Sequence, residues 1–184
     1  MKINRIKKLK NKLLNFNIVN TKIYKVLKYY SPLTIESIEL TLKKALFIIY
    51  KHHINNKKII FIGAPLKLNK KLKFVFKNTK HIFIPQSLWN DGVISNRLSL
   101  KKTETAKLLG KLDQTPDLIV VLNETVHINI LKESYKTKIP TIFFCNLINQ
   151  NFNYVVRGDF KFSQKQIRNN FFYSILITPL KNKK

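Results

Sequence analysis

The chain of 184 residues carries 35 Lys and Arg against 9 Asp and Glu, a formal net charge of +26. A free monomer with this charge repels itself strongly, so we expect a polyanionic partner, and nucleic acid is the first candidate. Apolar residues make up 45% of the chain, which excludes wholesale disorder and fits one domain with a core. Cys145 is the single cysteine, which excludes an intramolecular disulfide and a cysteine-based zinc site.

Residues 1–33 are predicted to form a basic N-terminal arm, followed by a single α/β domain over residues 34–184. Residues 1–28 contain no acid and repeat Lys with Ile and Leu. A transit peptide would favour Arg and Ser, so we prefer an arm that is retained and lies on RNA. A membrane is the other partner to consider. The apolar residues of 1–16 leave open a helix lying on a membrane surface, whereas no apolar run reaches the roughly 18 to 20 residues that span a bilayer.

The first half of the domain shows helix and strand patterns in alternation. Thr34 is the predicted N-cap of an amphipathic helix that ends near His53, because apolar residues recur there at helical spacing. Residues 59–62 form a continuous apolar run closed by Gly63, as in a strand buried on both faces. A Lys-rich helix over residues 68–77 and a short strand over residues 81–84, stopped by Pro85, follow.

The second half continues the alternation. Residues 118–122 and 141–145 are predicted strands, and residues 152–156 are a candidate fifth strand. Between the first two, Thr125 is the predicted cap of a helix that carries Ile128, Leu131 and Tyr135. A last helix is predicted to open at Ser163 and to show Ile167, Phe171 and Ile175 on one side. This alternation predicts a three-layer α/β domain with a mostly parallel sheet of about five strands.

The sequence offers little for a cofactor or a metal ion. The turn after the first strand, Gly63-Ala64-Pro65, has neither a G-x-G-x-x-G pattern nor a Walker loop, so we expect no nucleotide cofactor. No cysteine pair or carboxylate stands at ligand spacing from the histidines, so we expect no metal site. The histidines are His52, His53, His81 and His127.

A loop with Trp89, Gly92 and Asn96 follows the second strand, and two interpretations of it stay open. The tryptophan ring can stack on a base or a sugar of RNA. Alternatively, Trp89 plugs the edge of the sheet while Gly92 permits a tight turn.

Four segments together resemble one family, the second protein of the small ribosomal subunit (universal S-two), over about residues 35–176. Residues 58–63 are similar to its buried strand ending in Gly, and Trp89, Gly92 and Asn96 match its Trp-Leu-Gly-Gly-x-Leu-Thr-Asn loop. Pro116-Asp117 resembles the start of its Pro-Asp-Leu strand, and Pro140 the proline before a later strand. Bacterial members insert a helical hairpin where this chain has only a short link, residues 98–115, so the hairpin is expected to be lacking.

The resemblance implies a flavodoxin-like sheet, a place between the head and body of the small subunit, and no enzymatic activity. It implies small-subunit rRNA and neighbouring ribosomal proteins as partners, with no membrane and no homo-oligomer. The abundance of Lys, Asn, Ile, Phe and Tyr is typical of an AT-rich genome, which favours an organelle-encoded protein of the mitochondrial ribosome. A plastid or a reduced bacterium is the second choice.

The candidate RNA contacts are basic residues of the arm and of the region around the last strand and helix. Arg157 and Lys161 stand at a turn beside a predicted helix N-terminus, where backbone amides also favour phosphate. The full set is Lys7, Lys8, Lys10, Lys12, Arg97, Arg157, Lys161, Lys165 and Arg168. The alternative function is a degenerate α/β enzyme or a binding module for a phosphorylated small molecule, which would need a Gly- or Ser-rich phosphate loop.

Overall fold

A computed structural model describes residues 35–64, 79–85, 89, 92, 94–95, 115–122, 127–145, 153–157, 175–178 and 180. Its helices and strands within these ranges are α1 (Ile35–Ile54), β1 (Ile59–Ala64), β2 (Ile82–Pro85), β3 (Leu118–Val121), α2 (His127–Thr137), β4 (Thr141–Cys145) and β5 (Tyr154–Arg157). Residues 175–178 and 180 are also helical.

The five strands form one sheet in the order β2-β1-β3-β4-β5. Each of the four strand pairs is parallel. This is the flavodoxin-like strand order, in which the chain first adds a strand on one side of β1 and then continues on the other side. The predicted three-layer, flavodoxin-like α/β fold is therefore confirmed.

One surface of the sheet, the α1 face, is covered by α1 and by the helical residues near the C-terminus. Because successive side chains of a strand point to opposite faces, Ile59 and Phe61 of β1 reach this side. They pack in one apolar cluster with Leu118, Val120, Ile142, Phe144, Val156, and with Ile38, Leu42, Ala45, Ile49, Leu176, Ile177 and Leu180 of the helical segments. The Tyr154 hydroxyl donates a hydrogen bond of 2.9 Å to the Thr41 carbonyl, which ties β5 to α1.

The opposite surface, the α2 face, has its own cluster. The alternate residues of β1, Ile60 and Ile62, are fully buried there together with Ile130 of α2. The cluster also contains Ile82, Ile84, Ile94, Ile119, Val121, Ile139 and Phe143, and Trp89 packs against it. Two apolar clusters on opposite faces of one sheet make the three layers.

The end of α1 positions β1. The last turn carries Lys51, His52 and His53, whose location near the negative end of the helix dipole is favourable for basic groups. Asn56 takes a positive φ of 52°, a conformation that Asn tolerates better than most residues. The Lys57 amide then donates to the His52 carbonyl at 2.9 Å, which closes the helix and turns the chain into the sheet.

Most predicted elements are confirmed, with local corrections. Pro85 was predicted to stop β2, but it belongs to the strand and pairs with Ala64 across an irregular register. This is tolerated because β2 is an edge strand and proline lacks only the amide donor. The fifth strand begins at Tyr154 and includes Arg157, two residues later than predicted at its start.

The predicted helix with Leu131 and Tyr135 is α2. Tyr135 is 88% exposed, whereas Ile130, Glu133 and Ser134 are buried. The predicted cap Thr125, the side chain of Ile128, the helix over residues 68–77, the link over residues 98–114 and residues 163–171 of the last helix lie outside the described residues.

Candidate nucleic-acid interface

The Trp89 loop is held against α2 by a single carboxylate. The amides of Gly92 and Ile94 both donate to Glu133, one to each oxygen, and the second bond measures 3.0 Å. Gly92 has a positive φ of 88°, a conformation that costs little without a Cβ atom. Since Glu133 is only 8% exposed, these charge-assisted bonds satisfy a carboxylate that would otherwise be buried alone.

Trp89 itself is half-buried and packs on the α2-face cluster. Its indole Nε1 is buried and has no hydrogen-bond partner within the described part of the chain. The apolar body of the ring therefore contributes to the core at the edge of the sheet. This packing favours the plug interpretation, and the positive φ of Gly92 is the tight turn that this interpretation requires.

Glu133 was missed in the sequence prediction, although a signal for it exists. It stands three residues after Ile130, so both side chains lie on the same side of α2. An acid on the buried side of a helix, in a chain with so few acids, indicates a partner that needs a negative charge. The pattern does not say which partner, because Gly92 and Ile94 are about 40 residues away along the chain.

A second polar contact inside the fold joins two histidines. His53 Nδ1 lies 2.8 Å from His81 Nε2, and the Ile59 amide donates to His81 Nδ1 at 3.3 Å. Since Nδ1 of His81 accepts, its Nε2 carries the proton and donates to His53. Burial, reinforced by the neighbouring His53, lowers the pKa of His81 to about 4. His81 is therefore neutral near pH 7, and its hydrogen bond with His53 joins the end of α1 to the start of β2.

The histidines and acids do not assemble a metal centre within the described ranges. His52 and His53 face different directions: the Nδ1 atom of His52 lies 2.9 Å from the Ile48 carbonyl of its own helix, whereas His53 contacts His81. In the part of the chain that the structure describes, no group of three or more His, Cys, Asp or Glu side chains converges. His127 opens α2, and its side chain is outside the described residues.

Most of the described acids hold the fold together. Asp117 accepts from the Lys58 amide at 2.8 Å, and its own amide donates to the Lys58 carbonyl, which joins the start of β3 to that of β1. Glu39 pairs with Lys43 within α1. With Glu133, three of the four acids among the described residues (the fourth is Glu36) are engaged in this way.

The basic residues have the opposite distribution. Against those four acids, the same ranges contain nine lysines and Arg157, and most of the lysines point into solvent. The exposed ones are Lys43, Lys44, Lys51, Lys57, Lys80, Lys132, Lys136 and Lys138. Because few exposed acids offset these lysines, the surface has a positive electrostatic potential that attracts a polyanion.

The predicted RNA contacts fall mostly beyond the described residues. Arg157 ends β5, where its backbone pairs with Cys145, and its side chain is not described. In a parallel sheet the carboxyl ends of all strands share one edge, so Arg157 and the loop after β2 both follow that edge. They leave opposite outer strands, which lie about 19 Å apart at four strand spacings. Lys7, Lys8, Lys10, Lys12, Asn96, Arg97, Lys161, Lys165 and Arg168 lie outside the described residues.

The topological switch point, where flavodoxin-like proteins bind ligands, lies between the carboxyl ends of β1 and β3. The residues described there are Ile62, Gly63, Val121 and Leu122, all of them buried. The Leu122 amide donates to the Ile62 carbonyl at 2.8 Å, so the two strands stay paired up to their ends. Gly63 has a φ of 83° within β1, at the point where the register with β2 shifts between Ile62 and Ala64.

The fold and these contacts define a flavodoxin-like three-layer α/β protein with a strongly basic exterior. No protein-family model matches the chain, and no curated protein matches it at a significant level. Among the described residues, no helix is both long and apolar enough to cross a bilayer.

Proposed function

We propose that this protein is a structural component of the small ribosomal subunit, of the family of its second protein, and that it binds rRNA without catalysing a reaction. The observation that carries the proposal is the excess of exposed positive charge: three of the four described acids are engaged in contacts within the chain and two of them are buried, while eight of the nine described lysines are exposed. A surface of this kind neutralises phosphates along an RNA backbone.

The fold supports the same proposal. The strand order and parallel pairing are those that the family resemblance implies, and Trp89 and Gly92 form an ordered turn against α2. A fold alone does not determine function, so the proposal depends on the charge and on the four matching segments together. The same segments support small-subunit rRNA and neighbouring ribosomal proteins near the head-body junction as partners, in a mitochondrial ribosome.

The RNA contacts that we propose are the basic arm, with Lys7, Lys8, Lys10 and Lys12, and the five further residues Arg97, Arg157, Lys161, Lys165 and Arg168. Arginine binds phosphate through a planar fork, so the few arginines of this lysine-rich chain are the first residues to test. Arg157 is the one that the fold locates, at the carboxyl edge of the sheet.

The test measures the affinity of the full chain for small-subunit rRNA fragments over a range of salt concentrations. Each phosphate contact contributes roughly 0.7 to 0.9 to the slope of log affinity against log salt. The double variant Arg157→Ala and Arg168→Ala is expected to bind more weakly and with a slope smaller by about 1 to 2. The control Lys44→Ala with Lys51→Ala removes the same charge from α1, outside the proposed contacts, and should reduce the slope by less than the arginine variant does. An unchanged slope in the arginine variant contradicts these contacts.

Sedimentation tests the assignment to the particle. We expect the protein to co-migrate with mitochondrial small subunits and to stay bound at moderate salt. A protein that sediments free and carries a bound nucleotide or sugar phosphate would instead support the binding module for a phosphorylated small molecule.

A further inference from the structure

The outer side of α1 carries an apolar stripe that the fold does not cover. Leu40, Phe47 and Ile54 are 52%, 58% and 55% exposed, and Tyr50 is 37% exposed. Four of the five exposed large hydrophobic residues in the described ranges are these, and the fifth, Tyr135, is on α2. Scattered exposed apolar residues need no explanation, but a stripe concentrated on one helix indicates a contact surface.

The spacing of these residues along α1 indicates the shape of a partner that can bind to them. Leu40, Phe47 and Ile54 are separated by seven residues each, so they lie in one line about 21 Å long on the side of α1 that faces away from Ile38, Ala45 and Ile49. Tyr50 lies beside this line, one turn from Phe47. A seven-residue apolar repeat is the pattern by which one helix packs along another. We call Leu40, Phe47, Tyr50 and Ile54 the outer seam.

The charges beside the outer seam are positive. Lys44 and Lys51 follow Leu40 and Phe47 by four residues each, so they line one side of it, and both are exposed. The Lys51 ammonium lies 5.3 Å from the centre of the Phe47 ring. The acids of α1 do not offset these lysines, because Glu39 is buried and paired with Lys43, and Glu36 lies in the first turn, ahead of the seam.

We propose that the outer seam binds an amphipathic helix of a neighbouring protein that has acidic residues along the side of its own apolar line that faces Lys44 and Lys51. A second copy of this chain would bring Lys44 and Lys51 against the same lysines. RNA could stack only on Phe47 and Tyr50 and would leave the apolar side chains of Leu40 and Ile54 without a matching contact. The basic arm lacks the acids that would complement these lysines. The proposal rests on the proposed function only in that the partner belongs to the same particle.

A designed peptide can take the place of the partner helix in a direct binding test of the seam. The probe is a four-heptad helix with Leu at the a and d positions and Glu at e and g, labelled for fluorescence anisotropy with the full chain. We expect it to bind, and to bind at least about tenfold more weakly to Phe47→Glu and to the double variant Lys44→Glu with Lys51→Glu. Tyr135→Glu, which adds the same charge to an exposed aromatic position on α2, should keep the wild-type affinity.

Two controls distinguish peptide binding at the outer seam from general electrostatic attraction and from RNA binding. A peptide of identical composition with the heptad order scrambled should bind at least about tenfold more weakly than the probe. Phe47→Glu should keep its affinity for the rRNA fragments, so that failure of the seam and failure of rRNA binding are distinguished. The proposal is overturned if the scrambled peptide binds equally, if Phe47→Glu weakens RNA binding as much as peptide binding, or if the wild-type chain sediments as a dimer that Phe47→Glu dissociates.

Discussion

The α1 face and the α2 face of the sheet are closed by different kinds of interaction. On the α1 face, a helix of 20 residues buries an apolar side over the strands, and the polar contacts, such as the His53–His81 pair, lie at its border. On the α2 face, the described helix has 11 residues, and the Trp89 loop completes the cover because Glu133 holds its amides. Both faces therefore bury an apolar cluster, and the second also depends on a carboxylate that holds the amides of a loop.

The largest effect is expected from removing buried area on the α1 face. Phe144 is fully buried in its cluster, so Phe144→Ala should lower the free energy of unfolding by about 3 to 5 kcal/mol, measured by urea denaturation. Phe47→Ala removes the same ring from the exposed side of α1 and should change the free energy of unfolding by less than about 0.5 kcal/mol. Equal losses in the two variants would mean that α1 is not packed on the sheet through its inner side.

The next effect concerns pH and the border of the same face. Because burial lowers the pKa of His81 to about 4, the unfolded chain takes up a proton below pH 6.5 that the folded chain does not. The stabilisation from neutral His81 is complete above pH 6.5 and is lost as the pH falls toward 4. The expected loss in the free energy of unfolding is about 3 kcal/mol. A pKa difference of one corresponds to about 1.36 kcal/mol, and folding lowers the pKa of His81 from 6.5 to about 4.

The variant His81→Asn isolates this contribution, because its amide oxygen can accept from the Ile59 amide but does not titrate in this range. Unfolding free energies at pH 7 and pH 4 should differ less in the variant than in the wild type, by about 3 kcal/mol. His52→Asn, which removes the neighbouring histidine of α1, serves as the control. If the two variants show the same pH dependence, the buried pair is not its source.

A smaller effect is expected on the α2 face. Glu133→Gln keeps the shape of the side chain but leaves one of the two loop amides facing an amide group, at a cost of about 2 kcal/mol. Trp89 is the single tryptophan, so its fluorescence should shift to longer wavelength as the loop becomes more exposed to water. Glu36→Gln, an exposed acid in the first turn of α1, should cost less than about 1 kcal/mol and leave the emission unchanged. An unshifted Glu133→Gln spectrum would show that packing alone holds the loop.

The local patterns of the sequence predicted the strands and helices well, for a physical reason. A strand buried on both faces must be apolar at every position, so β1, β3 and β4 are visible as continuous runs. Pro85 was predicted to stop β2 because the edge position of β2, which makes proline acceptable, depends on the order of strands. Tyr135 was predicted within α2, but the sequence pattern does not reveal that its ring is exposed while Glu133 faces the Trp89 loop.

The contacts that define the site needed the three-dimensional structure. His53 and His81 are 28 residues apart, and their contact depends on the register between the end of α1 and the start of β2. The Glu133 carboxylate accepts from the amides of Gly92 and Ile94 only when α2 is packed on the sheet. Neither pairing is encoded in local spacing, since both result from the closure of long loops. The identity of the candidate RNA contacts remains a prediction from charge and resemblance.

The strand order also bears on how the chain folds as it is synthesised. Each new strand joins an edge that already exists: β2 and then β3 on the two sides of β1, β4 on β3, and β5 on β4. No strand has to be inserted between two that are already paired, so the sheet can grow from the N-terminal side while translation continues. The helix α1, although synthesised first, lies against β5 as well as β1, so its final docking waits for the last strand. Until then its inner side is open to water, which makes the interval before β5 emerges the period of greatest aggregation risk.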